Sequence, residues 1–470
     1  MAKYIVLGAY VLVLVLISAL ASRKKTSSDF LLAGRDVGPW LSAFAYGTGY
    51  FSAVIFIGYA GGNGWNYGLN ALWIGVGNAI IGSLFAWWLL GSRTRRLTHE
   101  MGVATLPAFL GKRFNSKALK IAAGLLIFIF LLPYSASVYK GIGFLFEQVF
   151  GLSFAWCMVL IAVLTAAYVL AGGYFASSWS NFFQGIVMLG GIGLMVYFLL
   201  MKVGGLSSAL EKLPVAQTAA GAGGGKMSDL FSVVVLTSLG TLGLPQMVHK
   251  FYAVRDGKKS IRSAMWISTL FALIIGSGAY LVGALGPLFM NKLPEGGTDY
   301  IVPAMLNDAL PSALMGLIVV LLLAASMSTL SALAMSAGSA VAVDLFGPKL
   351  EKMGKKKTNL VLRIVCFAFI MASMIFALYS PAAIQTLMNY SWGVLAGAFL
   401  GPFIFGVCWK KATPAGGWAG FIAGLGTCLV LGLIYNFAGN KSATVGCWAM
   451  VASLIATPLV SLLTPAKKTS

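Results

Sequence analysis

Charge is what this chain lacks. Asp, Glu, Lys and Arg together make up 10% of its 470 residues, against about 25% in soluble globular domains, so a soluble globule is excluded. Acid is scarcer still. The 12 Asp and Glu residues all fall in loops or at the ends of apolar runs, which leaves no buried carboxylate relay of the kind proton carriers use. Histidine is almost absent: His99 and His249 are the two, too few and too peripheral for a histidine-built metal centre. The five cysteines, Cys157, Cys366, Cys408, Cys428 and Cys447, have no paired spacing and read as small buried hydrophobes. With no constellation of acid, base, nucleophile or metal ligands, the sequence does not read as an enzyme.

What the chain has is apolar length. It is 59% hydrophobic with a mean hydropathy of +0.89, and thirteen runs are long enough to cross about 30 Å of hydrocarbon. They lie at about 3–21, 39–60, 71–91, 119–145, 153–172, 180–202, 228–249, 264–289, 313–340, 359–379, 383–408, 416–437 and 444–463. The reading is an all-α polytopic membrane protein. If the spans alternate from an outside N-terminus, 26 of the 33 Lys and Arg residues fall on the inner side and 7 on the outer. That asymmetry predicts a multi-pass protein of the cell membrane, inner or plasma, with the C-terminus in the cytoplasm. The net charge of +21 then serves orientation within the lipid bilayer and calls for no nucleic acid. Ala19-Leu20-Ala21 resembles a signal-peptidase site, but Arg23-Lys24-Lys25 follows the apolar run instead of preceding it, as in a retained anchor.

The spans are expected to form one membrane domain over 1–470, and the sequence leaves the oligomeric state open, a monomer included. Within it, 1–22 holds an extra span, 38–202 and 228–408 hold two repeats, and 416–463 holds two additional spans. The division rests on two interrupted helices. The second span reads Ala43-Phe44-Ala45-Tyr46-Gly47-Thr48-Gly49-Tyr50-Phe51-Ser52-Ala53, and the seventh reads Ser238-Leu239-Gly240-Thr241-Leu242-Gly243-Leu244-Pro245. Gly and Pro at such places loosen the hydrogen-bond ladder, which is tolerated at membrane depth where the freed groups line a cavity or meet an ion. Five spans separate the two interruptions, the spacing of two five-helix repeats of inverted topology that each open on a broken helix. A carrier is the natural reading. The ninth span adds Ala324-Ala325-Ser326-Met327-Ser328-Thr329-Leu330-Ser331, four hydroxyls with no charge among them. They need helix carbonyls or a ligand to satisfy them.

Several blocks together resemble the sodium:solute symporters, whose members carry proline, pantothenate, monocarboxylates, sugars and sialic acid. The blocks are Ser28-Asp29-Phe30-Leu31-Leu32-Ala33-Gly34-Arg35; Tyr50-Phe51-Ser52-Ala53 with Phe56-Ile57-Gly58; Gly172-Gly173 with Trp179-Ser180-Asn181-Phe182-Phe183-Gln184-Gly185; Leu242-Gly243-Leu244-Pro245-Gln246 leading to Lys250-Phe251 and Arg255-Asp256; and Gly401-Pro402 with Gly406, Trp409-Lys410-Lys411, Thr413 and Gly416. Five blocks in order cover nearly the whole chain. The resemblance implies a five-plus-five, LeuT-like core and Na+ as coupling ion. It also implies a sodium site with side-chain oxygens from Ser328 and Thr329, the carbonyl of Ala325, and the carbonyls of Thr48 and Phe51. Many members have an acid where this chain has Tyr50 or Asn181. Those departures point to a single sodium site with neutral ligands.

A solute is expected at the midplane between the two breaks. Tyr46, Tyr50, Ser52, Ala53 and Ile55 line it on one side, Thr237, Thr241 and Gln246 on the other, and Tyr134, Tyr139 and Trp392 wall it. Val54 and Ile55 stand where sugar carriers of the family place polar side chains, so a small organic anion is favoured. Pantothenate or a monocarboxylate comes first and proline next. Lys140 is expected to snorkel to the outer interface. The rival readings are a proton-coupled or uncoupled carrier of the same fold, a channel, and a transporter-like sensor. No repeated pore loops or charge rings speak for a channel, and a sensor would carry a signalling domain besides its spans.

Overall fold

The computed structural model describes residues 2–21, 32–347, 350 and 354–465. Ser28 to Leu31 of the first family block, and the basic residues Arg23, Lys24, Lys25, Lys349, Lys352, Lys467 and Lys468, lie outside the described residues. All regular structure among the described residues is helical, apart from one isolated parallel bridge between Val37 and Val254.

The chain opens with α1, Ala2–Ala21. The helix α2, Pro39–Tyr50, starts on Pro39, a residue whose fixed φ and missing N–H suit a first turn. It stops because Phe51 is extended, with φ −100° and ψ 110°. The chain resumes as a π-helical stretch, Val54–Tyr59, that runs into α3, Ala60–Tyr67. A short 3-10 turn leads to α4, Leu72–Ala79, two further π-helical stretches and α5, Ser92–Glu100. Then come α6, Leu106–Arg113; α7, Lys117–Phe150; α8, Phe154–Lys202; and α9, Leu206–Ala219.

A second interruption separates α10, Met227–Leu239, from α11, Pro245–Ala253. Between them Gly240–Leu242 winds as 3-10 helix, Leu244 is extended at ψ 128°, and Pro245 opens the next helix. Gly243 sits here because a Cβ would stand 3.0 Å from the Leu400 backbone. The remaining helices are α12, Lys258–Ala284; α13, Ile301–Ala309; α14, Ser312–Ser339; α15, Lys355–Tyr379; α16, Ile384–Cys408; α17, Pro414–Ile434; and α18, Ser442–Leu463.

Ten helical stretches among the described residues are long and apolar enough to cross a membrane, where the sequence reading has thirteen runs. The difference has a local cause. The end of the second run, beyond the break after α2, and the whole of the third share one helical stretch, Val54–Glu100, because the turn between them is itself helical. The first run lies in α1 and the fifth in the first part of α8, both apolar and helical but not among the ten. The outside of the bundle is apolar, with Ile129, Trp156, Ile364 and Leu433 exposed, a surface that suits lipid and not water. Buried deepest is α14, which lies at the centre of the bundle.

Small residues let the backbones meet. A Cβ on Gly283 of α12 would lie 1.7 Å from the Ala60 carbonyl oxygen of α3, and one on Gly424 of α17 would lie 1.9 Å from the Gly397 carbonyl oxygen of α16. Without a hydrophobic driving force between helices in lipid, such contacts supply the packing.

Candidate functional site: two broken helices around a hydroxyl pair

The break after α2 leaves backbone oxygens without their usual partners. In an unbroken helix the N–H groups of Val54 and Ile55 would bond to the carbonyls of Tyr50 and Phe51. Here the Val54 N–H goes to Ser52 Oγ at 3.3 Å and the Ile55 N–H to the Ser52 carbonyl at 2.9 Å. The carbonyls at the end of α2 are thereby released from the ladder. The hydroxyls of α14 come to meet one of them. Ser328 Oγ lies 3.0 Å from the Thr48 carbonyl oxygen and 2.9 Å from that of Ala325. Thr329 Oγ1 lies 3.3 and 3.1 Å from the same two oxygens.

Four oxygens from two helices thus share one spot with no measurable exposure of Thr48, Ala325, Ser328 or Thr329. Oxygens held about 2.4 Å from a common hard cation would stand about 3.4 Å apart, close to the spacing seen. No carboxylate is among them. Phe51 closes the end of α2, its N–H on the Gly47 carbonyl at 3.0 Å. The other two hydroxyls of the cluster face elsewhere: Ser331 Oγ reaches Ser177 Oγ of α8 at 3.3 Å, and Ser326 Oγ has no partner among the described residues.

Next to this spot, aromatic rings fill the space between the two breaks. Tyr46 and Tyr50 stand edge to face with centroids 6.4 Å apart, Tyr50 lies 6.3 Å from Trp392, and Trp392 lies 5.7 Å from Tyr134. All four are buried. The Tyr50 hydroxyl donates to the Thr237 carbonyl at 2.6 Å, which ties α2 to α10 just before its break. Tyr46 donates to the Gly82 carbonyl at 2.5 Å and Thr241 Oγ1 to the same oxygen at 3.3 Å. Gly82 is required, since a Cβ there would lie 2.3 Å from the Tyr50 hydroxyl.

Of the residues singled out for a solute, the structure therefore gathers Tyr46, Tyr50, Tyr134, Trp392, Thr237 and Thr241. Ser52, Ala53 and Ile55 are buried in the break itself, where Gly141 of α7 packs against Ala53. Tyr139 is five residues beyond Tyr134 on α7, about 140° further round the helix, and its buried ring stands outside the cluster. Gln246 lies beyond the second break, in a small recess with Ser177, Lys250 and Ser336. Neither amide atom of Gln246 has a partner among the described residues.

Sequence reasoning passed over several residues. Gly82 offers only a carbonyl, which no side-chain pattern could announce. The Tyr59 hydroxyl donates to Asn389 Oδ1, joining the stretch after the first break to α16. Asp299 Oδ2 accepts the N–H of Ile384 at 2.9 Å and so caps the start of α16. Burial raises the Asp299 carboxyl above its ordinary 3.8, while the Ile384 N–H and nearby Lys140 act to lower it. Lys140 is buried and not snorkelled. Its ammonium donates to the carbonyls of Ser380 at 3.1 Å and of Ala382.

The two broken helices are also joined at one end of the molecule. Val37 N–H bonds to the Ala253 carbonyl at 3.2 Å, Arg255 N–H to the Val37 carbonyl at 2.8 Å, and Arg255 pairs with Asp36. Arg35 adds bonds to the carbonyls of Val103 at 2.5 Å and Thr98 at 3.3 Å. At the opposite end a polar cavity of 490 Å³ opens, lined among others by Asn63, Lys226 and Asn389.

The chain is similar to known proteins over nearly its whole length. The chain is 28% identical over 481 residues to the osmoregulated proline transporter OpuE of Bacillus subtilis, covering 98% of this chain and 95% of that one. It is 28% identical over 437 residues to a sodium/proline symporter of Staphylococcus aureus, covering 90% and 84%. Its fold superposes on that of a Na+-coupled sialic acid symporter solved in a substrate-bound outward-open state, with a TM-score of 0.80 at 20% identity, over 100% of this chain and 99% of that one. The sodium:solute symporter family matches residues 30–424, and the chain belongs to that family.

Proposed function

We propose that the chain is a sodium-coupled symporter of a small organic solute, with L-proline as the first candidate, working by alternating access. The observation that carries this reading is the approach of the Ser328 and Thr329 hydroxyls to the Thr48 carbonyl at the broken end of α2. Ser328, Thr329, Ala325, Thr48 and Phe51 form the sodium site, with neutral oxygens as ligands. A hard cation prefers such oxygens, and carbonyls at a helix end carry partial negative charge.

Sodium bound there holds α2 against α14 and fixes the ring cluster of Tyr46, Tyr50, Tyr134 and Trp392, where the solute binds. Thr237 and Thr241 contribute at the second break, and Gln246 on the far side of it. In this reading the core holds ten helices, two inverted repeats at 38–202 and 228–408, each opening on a broken helix, with flanking spans making thirteen. The end tied by Asp36 and Arg255 faces the cytoplasm, in keeping with the basic residues around it, and the cavity end faces outward.

The names of the relatives reorder the solutes expected from sequence. Both relatives named above are proline carriers, and proline now stands ahead of pantothenate and the monocarboxylates. An inside-negative potential adds about 2.3 kcal/mol per charge per 100 mV to accumulation. The test is uptake of labelled L-proline into proteoliposomes under imposed sodium gradients. Uptake should saturate, follow the sodium gradient and be accelerated by internal unlabelled proline. Uptake that follows a proton gradient with no response to sodium would overturn the coupling.

A further inference from the structure

The recess beyond the second break lies between α8, α11 and α14, lined by Ser177 of the first, by Gln246, His249 and Lys250 of the second, and by Ser336 of the third among others. Gln246 is in the first turn of α11 and Lys250 is four residues on, so the two side chains share one face of that helix. Gln246 is 1% exposed and Lys250 3%. Neither amide atom of Gln246 has a partner among the described residues, and a buried amide in that condition calls for a guest.

The recess is linked to the hydroxyl pair. Ser177 Oγ meets Ser331 Oγ at 3.3 Å, and Ser331 Oγ donates to the Ser328 carbonyl at 2.9 Å. Ala332, on the recess wall, is one turn beyond Ser328 on α14, about 6 Å along the helix. Lys250 reaches the same region from α11: a Cβ on Gly49, the residue after Thr48, would lie 3.7 Å from Lys250 Cε.

The lining selects the guest by charge and by size. A buried ammonium excludes a second cation and favours an anion, and no Asp or Glu among the described residues lines the recess. The Gln246 amide and the hydroxyls of Ser177 and Ser336 are donors that an anion can accept from. The recess holds 10 Å³, about the room of one water-sized guest and too little for a carboxylate on a carbon skeleton.

We infer that a monatomic anion, chloride being the commonest, binds between Lys250, the Gln246 amide and the Ser177 hydroxyl, and that it raises the sodium affinity of the neighbouring oxygens of Thr48, Ser328 and Thr329. The inference rests on the sodium reading above. The anion offsets the repulsion between Lys250 and a cation at those oxygens, and each ion then favours the other by the same factor. The contribution of Gln246 beyond the second break is thus to hold an ion.

The experiment uses the purified full chain in nanodiscs, with sodium titrated at constant ionic strength in chloride or in gluconate and thermal midpoints as the readout. Chloride should lower the sodium concentration for half-maximal stabilisation about tenfold. Lys250→Met should abolish the chloride effect and, in gluconate, should bind sodium more tightly than the parent chain, a gain that misfolding cannot produce. Gln246→Leu should raise the chloride concentration for half of that effect about tenfold, as one bond to a charged group is lost. In crystals grown with bromide, an anomalous peak should stand in the recess and stay there at saturating L-proline.

Sodium affinity that is equal in chloride and gluconate, a chloride effect that survives in Lys250→Met, or a recess that holds only water overturns the anion site. Displacement of bromide by L-proline also overturns it, because the recess would then be a stop for the solute carboxylate. Sodium-driven proline uptake with no chloride effect overturns the anion site and leaves the transport reading standing. Bromide in the recess of a protein that neither binds sodium nor takes up proline overturns the transport reading and leaves the anion site in place.

Discussion

Ser328 Oγ lies 3.0 Å from the carbonyl oxygen of Thr48, a residue 280 positions earlier in the chain. A hydroxyl on an unbroken helix normally returns to its own helix one turn back, as this one also does at the Ala325 carbonyl. The second oxygen is within reach because α2 ends where it does. Replacing both hydroxyls, Ser328→Ala with Thr329→Ala, should raise the sodium concentration for half-maximal uptake by about tenfold for each oxygen removed, since a bond to a charged group is worth about 1.5 kcal/mol or more. The solute concentration for half-maximal uptake at saturating sodium should change far less. Sodium titrations of initial uptake rates check this, and an unaltered sodium dependence would remove the pair from the ion site.

Asp299 should give the folded protein a pH-dependent share of its stability. Its carboxyl is raised above 3.8 in the folded chain, so the folded state holds the proton more tightly than the unfolded state. That share is therefore full below pH 3.8 and lost as pH rises through the raised value. Asp299→Asn keeps an oxygen for the Ile384 N–H and carries no titrating proton. Thermal midpoints of the parent chain minus those of this variant should fall with rising pH across that window. A difference that is flat with pH refutes the assignment.

Lys140 satisfies two carbonyls that precede α16, those of Ser380 and Ala382, and helps to hold down the Asp299 carboxyl. Lys140→Met should cost about 2 kcal/mol, the scale of buried polar groups left without partners. The same change should push the Asp299 window to higher pH. Denaturation midpoints of the single variants and of the double variant with Asp299→Asn measure both effects, and strict additivity would deny the coupling.

Glycines in this chain divide sharply by surroundings. Gly283→Ala would place a carbon 1.7 Å from a main-chain oxygen of Ala60, which backbone cannot absorb, and should cost at least about 3 kcal/mol or abolish folded protein. Gly190 lies on the exposed face of α8 with nothing within 4 Å of its would-be Cβ. Gly190→Ala should be neutral or stabilising by up to about 1 kcal/mol. Yields of monodisperse protein and thermal midpoints decide both.

What could be read from sequence follows what side chains advertise. The hydroxyls of Ser328 and Thr329 are conspicuous in an apolar run, and Gly marks both places where the helices stop, with Pro245 added at the second. Tyr46, Tyr50, Tyr134 and Trp392 are large rings whose positions in the spans bring them together. Gly82 was invisible because its contribution is a carbonyl oxygen. Tyr59 with Asn389, 330 positions apart, and Asp299 with Ile384 depend on contacts between distant segments, for which local pattern carries no signal. Lys140 was misplaced for a related reason: lysine near a span end usually reaches water, and only the fold shows two carbonyls waiting for it. The span count suffered from a turn, Gly68–Ala71, that is itself helical, so apolar runs that hydropathy separates share one helical stretch.

The close contact of Gly283 with Ala60 has a mechanical consequence. The same unbroken helix, α12, also meets α2, where Phe271 fills the space that a Cβ on Gly47 would need. One continuous rod is thus fastened to the chain on both sides of the gap at Phe51 and Ser52, as a splint lies across a fracture. The gap can give up its hydrogen bonds and still keep its two ends in line. Bending at that gap must load α12, so force applied to either half of the broken helix is carried past the oxygens of Thr48 and Phe51 rather than through them.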